Sequence, residues 1–150
     1  MKKIITATLF AGLFTSAGVF AAAAPAADII VVLASNVFQP VGTVANKINI
    51  ARQGLMTAQP GRAGFVKNSF DFTVSANVIA GVLEQPANSR FGVVAGSNKG
   101  YSVFTGSSVG GSISQCGPQV AKDKTDLGAS LVVDSTLDMT KANGCAIVTP

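Results

Sequence analysis

The sequence predicts a mainly β fold: a small single-domain antiparallel sandwich or barrel-like meander with at most one short helix and one disulfide. Three observations predict it. Phe70, Phe72, Val74, Ala76, Val78, Ala80 and Val82 recur at a spacing of two, with Asp71, Thr73, Ser75 and Asn77 between them. Strict alternation of this kind places one set on each side of a pleated strand, so Phe70–Val82 reads as one long strand. Beyond it come the short runs Phe91–Ala95, Tyr101–Phe104 and Ser112–Cys116, separated by Glu84–Ser89, Ser97–Gly100 and Gly110-Gly111. Apolar runs punctuated by Gly, Pro, Asn and Ser in this way describe an antiparallel meander. Finally, 150 residues is the length of one domain.

Taken in order, the chain starts with Lys2 and Lys3, an apolar run from Ile4 to Phe20 and the small residues Ala21–Ala27 around Pro25. A basic start, a short apolar stretch and A-x-A spacing describe a cleaved secretory signal over residues 1–26. Cleavage fits after Ala23 or after Ala26. A membrane anchor is the competing reading. A span needs about 20 apolar residues, and Pro25 and Asp28 interrupt this one. Residues 27–150 then form the domain, long enough to bury roughly two thirds of its unfolded surface. Its location is the periplasm, the cell surface or the medium, with no stable span after signal removal.

Ile29-Ile30-Val31-Val32-Leu33 follows. Five β-prone apolar residues in a row read as a strand buried on both faces or paired with a partner, and hence as an assembly strand. Pro40 ends it. In Gly42–Ala58, Val44, Ile48, Ala51 and Leu55 fall at helical spacing, with Thr43 as a cap. A strand through Ile48 and Ile50 is the alternative to that helix. Gln59-Pro60-Gly61 stops either element, and Arg62–Asn68 is a polar connector. After the meander, Pro118 and Lys122–Asp126 form a solvated loop. Ser130–Val133 reads as a short strand, Thr136–Lys141 as one helical turn, Asn143-Gly144 as a turn and Cys145–Val148 as a last strand.

The chemistry the chain lacks is as informative. It contains no histidine, which removes the commonest general base, metal ligand and triad partner together. Gly106-Ser107-Ser108-Val109-Gly110 matches G-x-S-x-G. The nucleophile elbow, however, needs a strand before it, a helix after it and a base for Ser108; Gly110-Gly111 follows, and no base is present. No pair of the carboxylates Asp28, Asp71, Glu84, Asp123, Asp126, Asp134 and Asp138 has the sequence context of a two-carboxylate hydrolase. Asp123 and Asp126 lack the alternating ligands and closing Glu of a calcium loop. The expectation is therefore no enzyme, no cofactor and no metal. Lys2 and Lys3 supply two of eleven basic residues against seven acidic ones. Once they are removed the charge is near balance and unclustered, unlike a nucleic-acid surface.

Cys116 and Cys145 are the only cysteines. In an exported protein without metal co-ligands they are expected to pair. Tyr101, the only tyrosine, stands with Lys99 at a predicted hairpin tip, either as an exposed contact or as a cross-strand packing residue.

Ile29–Leu33 resembles in texture the apolar N-terminal extension of chaperone–usher fimbrial subunits. The early cysteine pair and the C-terminal alternating strand of that family are missing, since the chain ends Cys145-Ala146-Ile147-Val148-Thr149-Pro150. A type IV pilin would need a long apolar helix with an early acidic residue where Pro25 and Ile29–Leu33 stand. Neither resemblance carries a site over. The functional expectation is an exported, non-catalytic structural or adhesive surface subunit of fimbrial type, assembling by strand pairing with itself or another surface protein. The alternative is a periplasmic or secreted ligand-binding or inhibitor module with a closed β-barrel.

Overall fold

The computed structural model of the chain describes residues 29–41, 50–97, 99–123 and 131–147. The expected signal, most of Gly42–Ala51 and the loop beyond Asp123 lie outside them. Eight strands form: β1 (Ile29–Val32), β2 (Gln39–Val41), β3 (Arg52–Thr57), β4 (Phe70–Val74), β5 (Val78–Gln85), β6 (Arg90–Ser97), β7 (Val103–Ser107) and β8 (Ser114–Gln115). The fold is mainly β, as its alternation predicts. Three single 3-10 turns lie wholly within the described residues, at Pro60–Arg62, Pro86–Asn88 and Asp134–Thr136.

The strands divide into two open sheets, a small one in the order β1-β3-β4 and a large one in the order β2-β5-β6-β7-β8. In the small sheet β1 runs parallel to β3, with Ile30 opposite Leu55, and β4 runs antiparallel to β3, with Phe72 opposite Gly54. The large sheet is antiparallel throughout. Its β5–β6–β7–β8 portion is the expected meander, with Val82 opposite Val93 and Ala95 opposite Phe104.

The sheets stack face to face. Ile29, Val31 and Leu33, with Met56 and Val74, meet Val41 and Val82 in one core, flanked by Phe72, Val78, Ala80, Phe91 and Val93. No residue of β7 or β8 belongs to it, so the small sheet covers β2, β5 and β6 only. The other face of the large sheet presents Ile79, Leu83, Val94 and Val103 to a second core. It is closed by Val132, Leu137, Met139 and Cys145 from the C-terminal segment. The large sheet is thus a wall between two cores, which explains why Val82 and Leu83, successive residues with opposite facings, are both buried. Two glycines thin this wall for large neighbours. A Cβ on Gly81 would run into the Phe38 ring, and one on Gly92 into the Met139 sulfur.

Several expectations are corrected. Phe70–Val82 is two strands in different sheets, broken at Ser75–Asn77, where Asn77 adopts φ 60°. The described end of the helical candidate Gly42–Ala58 is β3, since its inward positions Gly54 and Met56 alternate with outward ones. Ser130–Val133 and Cys145–Val148 contribute no strand among their described residues. Only an isolated bridge joins Leu137 to Cys145. The turn at Asp134–Thr136 precedes the expected helical turn at Thr136–Lys141. There Asp138 instead accepts hydrogen bonds from the Thr140 hydroxyl and backbone, at 2.6 and 2.9 Å. Those bonds, with Lys141 nearby, hold the Asp138 carboxyl below its usual range.

Cys116 and Cys145 are joined, with Cα atoms 5.3 Å apart. Cys116 follows β8 directly, so the bond ties the last strand of the large sheet to the segment that caps its second face. Besides the bond, the cap depends on local contacts, including Thr136 Oγ1 donating to the Leu131 carbonyl at 2.6 Å and Ala146 N–H to the Thr136 carbonyl at 3.0 Å. The bond closes a loop across 29 positions. On the chain-entropy model this is worth about 3–4 kcal/mol. A Cys116→Ser/Cys145→Ser variant is therefore expected to lose about that much stability in urea unfolding. Amide exchange should then rise first over 131–147.

Candidate functional site

The two sheets differ in width by two strands, and that difference creates the site. β4 forms one edge of the small sheet and lies above β6. Beyond it β7 and β8 project with nothing above them among the described residues. The uncovered face carries Ala95 from β6, Phe104 from β7 and Ile113 from the approach to β8. Phe104 is 47 % exposed and Ile113 78 % exposed. Phe65, stacked on Phe91 with ring centroids 6.3 Å apart, walls one end.

Three contiguous clefts follow this line. One of about 330 Å³ opens between the sheets under β4, lined by Phe70, Phe72, Val78 and Phe91. A second of about 400 Å³ continues from Phe91 and Val93 over Ala95 to Phe104 and Ile113. A third of about 380 Å³ runs from Phe104 and Ala95 to Tyr101 and Gln119. Together they form a slot with a nearly continuous hydrocarbon floor. β4 walls the first of these clefts, and its outward backbone groups have no strand partner among the described residues. An open edge beside an apolar floor offers directional hydrogen bonds and burial together, the combination used in strand addition.

The four sheet edges are not equivalent. In the large sheet, β2 carries Pro40 and β8 has two residues, so both are poor templates for further pairing. In the small sheet, β1 and β4 carry neither proline nor lysine. The large sheet thus ends in a proline strand and a two-residue strand, whereas the small sheet ends in the apolar β1 and in β4, whose one charge is Asp71.

The predicted site residues separate accordingly. Ile29–Leu33 does pair, but within its own small sheet, and it is buried on one face only. Ile29, Val31 and Leu33 point inward, while Ile30 is 67 % and Val32 55 % exposed on the outer face. Tyr101 lies at the far end of the slot, with Lys122 Nζ 5.9 Å from its ring centroid. Lys99 is exposed in the adjoining turn, its backbone N–H donating to Ser97 Oγ at 3.2 Å. The structure does not bring Lys99 into the slot lining. Ser108 follows β7 into a turn through Gly110 and Gly111, both at positive φ, and its hydroxyl accepts the Phe91 N–H at 2.8 Å. Its role there is to extend the β6–β7 pairing. Among the described residues no cluster of His, Cys, Asp or Glu is grouped as metal ligands, and no helix is long and apolar enough to cross a membrane.

The sequence reads Glu84 as the start of the turn Glu84–Ser89; it lies instead within β5, which runs to Gln85, and is completely buried. Gln59 Nε2 donates to its Oε2, and the Val66 N–H donates to its Oε1 at 2.8 Å. Ser35 Oγ in turn donates to Gln59 Oε1 at 2.8 Å, and the Asn36 N–H donates to the Glu84 carbonyl at 2.8 Å. Gly64 passes so close to the carboxylate that a Cβ would collide with it. Glu84 thus holds the β3–β4 connection, including the loop that presents Phe65, through its carboxylate, and the β1–β2 connection through its backbone carbonyl and Gln59. The only sequence signal was a lone acid inside an apolar strand.

No family model, curated protein or solved structure matches this chain.

Removing the Glu84 carboxylate leaves two buried donors unpaired, at about 1–3 kcal/mol each. Glu84→Ala is expected to destabilise the domain by about 2–4 kcal/mol, read as a fall in the urea midpoint. A change under about 0.5 kcal/mol would mean that the cluster does not hold the loops.

Proposed function

We propose that the protein is an exported, non-catalytic structural subunit of a cell-surface assembly, built by pairing of sheet edges between copies. The observation that carries this reading is the apolar floor of β6 and β7, uncovered among the described residues, beside the edge of β4, unpaired among them. The guarded edges of the large sheet support it by confining pairing to the small one. The disulfide and the basic, apolar and small-residue start of the chain support export. The absence of histidine supports a non-catalytic role. Both sheets are open, so the reading does not depend on an enclosed ligand cavity.

The test is self-association of the mature chain, measured by light scattering across a concentration series and by electron microscopy. The expected result is growth of mass with concentration. Phe104→Asp is expected to suppress that growth at least tenfold while leaving thermal unfolding within a few degrees of wild type, because the position is half exposed. A wild-type chain that stays monomeric at every soluble concentration overturns the reading.

A further inference from the structure

The geometry points to a specific mode of assembly: β1 of a second copy docks in the slot beside β4, with Ile30 and Val32 laid on Phe104 and Ile113, and repetition of this contact builds an open filament. The inference rests on the self-assembly proposed above and names the surface that fills the slot.

The two surfaces are complementary. The slot presents an apolar floor and one unpaired strand edge. The same chain carries one matching surface elsewhere, on the outer side of β1. Ile30 and Val32 are the outward residues of an unguarded edge strand, and Leu55 extends their patch on β3. A strand with apolar residues on both faces, exposed on one of them, is suited to be covered twice: by its own core and by a neighbour.

Steric exclusion fixes the orientation of the neighbour. A neighbour cannot simply continue the small sheet in the same orientation, because its own large sheet would then occupy the space of β7 and β8. Turning the neighbour by half a turn about the axis that crosses the strands removes the conflict. The order of strands along the small sheet is kept, and β1 of the neighbour stands next to β4. Its large sheet now lies on the opposite side, and its outer face comes down on the overhanging β7 and β8. In the free chain β1 is antiparallel to β4, since it is parallel to β3 and β3 is antiparallel to β4. After the half turn the neighbour's β1 runs parallel to β4.

The widths of the sheets match as well. In this arrangement the small sheets form one continuous ribbon, and the large sheets alternate above and below it. Two copies on the same side are separated by six strands of ribbon, about 28 Å at a spacing of about 4.7 Å. Five strands of the large sheet span about 24 Å on the same spacing and fit between them. Three strands against five is a ratio that lets the ribbon close its own gaps. Because the contact joins two different surfaces, it is heterologous and leaves one free end of each kind.

That asymmetry supplies the test. Ile30→Asp blocks the β1 face and leaves the slot intact; Phe104→Asp blocks the slot and leaves β1 intact. Both side chains are exposed, and circular dichroism checks that each variant is folded, with Val32→Asp and Ile113→Asp as second variants at the same two surfaces. Each variant alone is expected to remain monomeric under conditions in which the wild type grows. An equimolar mixture of Ile30→Asp and Phe104→Asp is expected to form 1:1 dimers that grow no further, since one competent contact remains. If Ile30→Asp alone still dimerises, the slot pairs with another slot and the inference is wrong. If both variants grow like wild type, assembly uses other surfaces: the inference fails while the structural reading survives. A wild type that never associates removes both.

Discussion

Burial of β5 and β6 on both faces is the constraint on which the rest of the structure depends. They separate two cores, so Val78–Leu83 and Phe91–Gly96 are all apolar or glycine, and the elements on either side are set by what this wall can receive. Phe38 is seated where Gly81 offers no side chain and Met139 where Gly92 offers none. The C-terminal segment supplies few backbone pairs to a sheet. It serves instead as a side-chain cover for Ile79, Val94 and Val103, and such a cover gains little from hydrogen-bond cooperativity. The disulfide placed between β8 and this cover offsets that weakness by limiting the unfolded states available to the segment.

How much of this was legible in the sequence follows from which faces the strands share. The alternation from Phe70 to Val82 is real, yet it belongs to two strands. Phe70, Phe72 and Val74 face the inter-sheet core from the small sheet, and Val78, Ala80 and Val82 face it from the large one. The chain turns the corner at Ser75–Asn77 without changing parity, so a period of two passes through the break unaltered. Only Asn77, a residue type that tolerates the left-handed region, marks it. The helical spacing misled over its described end, at Leu55, for a related reason; Val44 and Ile48 lie outside the described residues. One inward position of β3 is Gly54, kept bare because the Phe72 ring occupies the space of its side chain, and a strand whose inner face includes a glycine does not read as alternating. The C-terminal strands were expected from apolar content alone. The described residues use that content to cover a sheet, a distinction that composition does not encode.

The site was legible only in its parts. Ile29–Leu33 stood out as a pairing strand, and Tyr101 as a residue near a contact surface. The slot itself did not, because Ala95 and Phe104 look like ordinary strand residues. What exposes them is the number of strands in the opposite sheet, a property of the whole topology. Glu84 was hidden similarly. A lone acid on an apolar strand reads as an end or a solvent-facing position until the loops carrying Gln59, Gly64 and Val66 are seen to close over it.

Energetics favour treating the uncovered face as a working surface. Covering a large apolar side chain fully is worth on the order of 1.5–3 kcal/mol, and the whole domain has about 5–15 kcal/mol of net stability to draw on. Ile30, Val32, Phe104 and Ile113 are exposed together on a chain that elsewhere protects its edges with Pro40 and a two-residue β8. A solitary sandwich of this topology would gain by making the outer face of β1 polar, at no cost to Ile29, Val31 and Leu33 on the inner face, because alternate positions on a strand vary independently. The sequence instead keeps Ile and Val on both faces of β1 and leaves the β4 edge open next to an apolar floor. A proline strand and a two-residue strand at the edges of one sheet, with an apolar β1 and an unpaired β4 at the edges of the other, make sense together if the small sheet is the part of the molecule that continues into its neighbour.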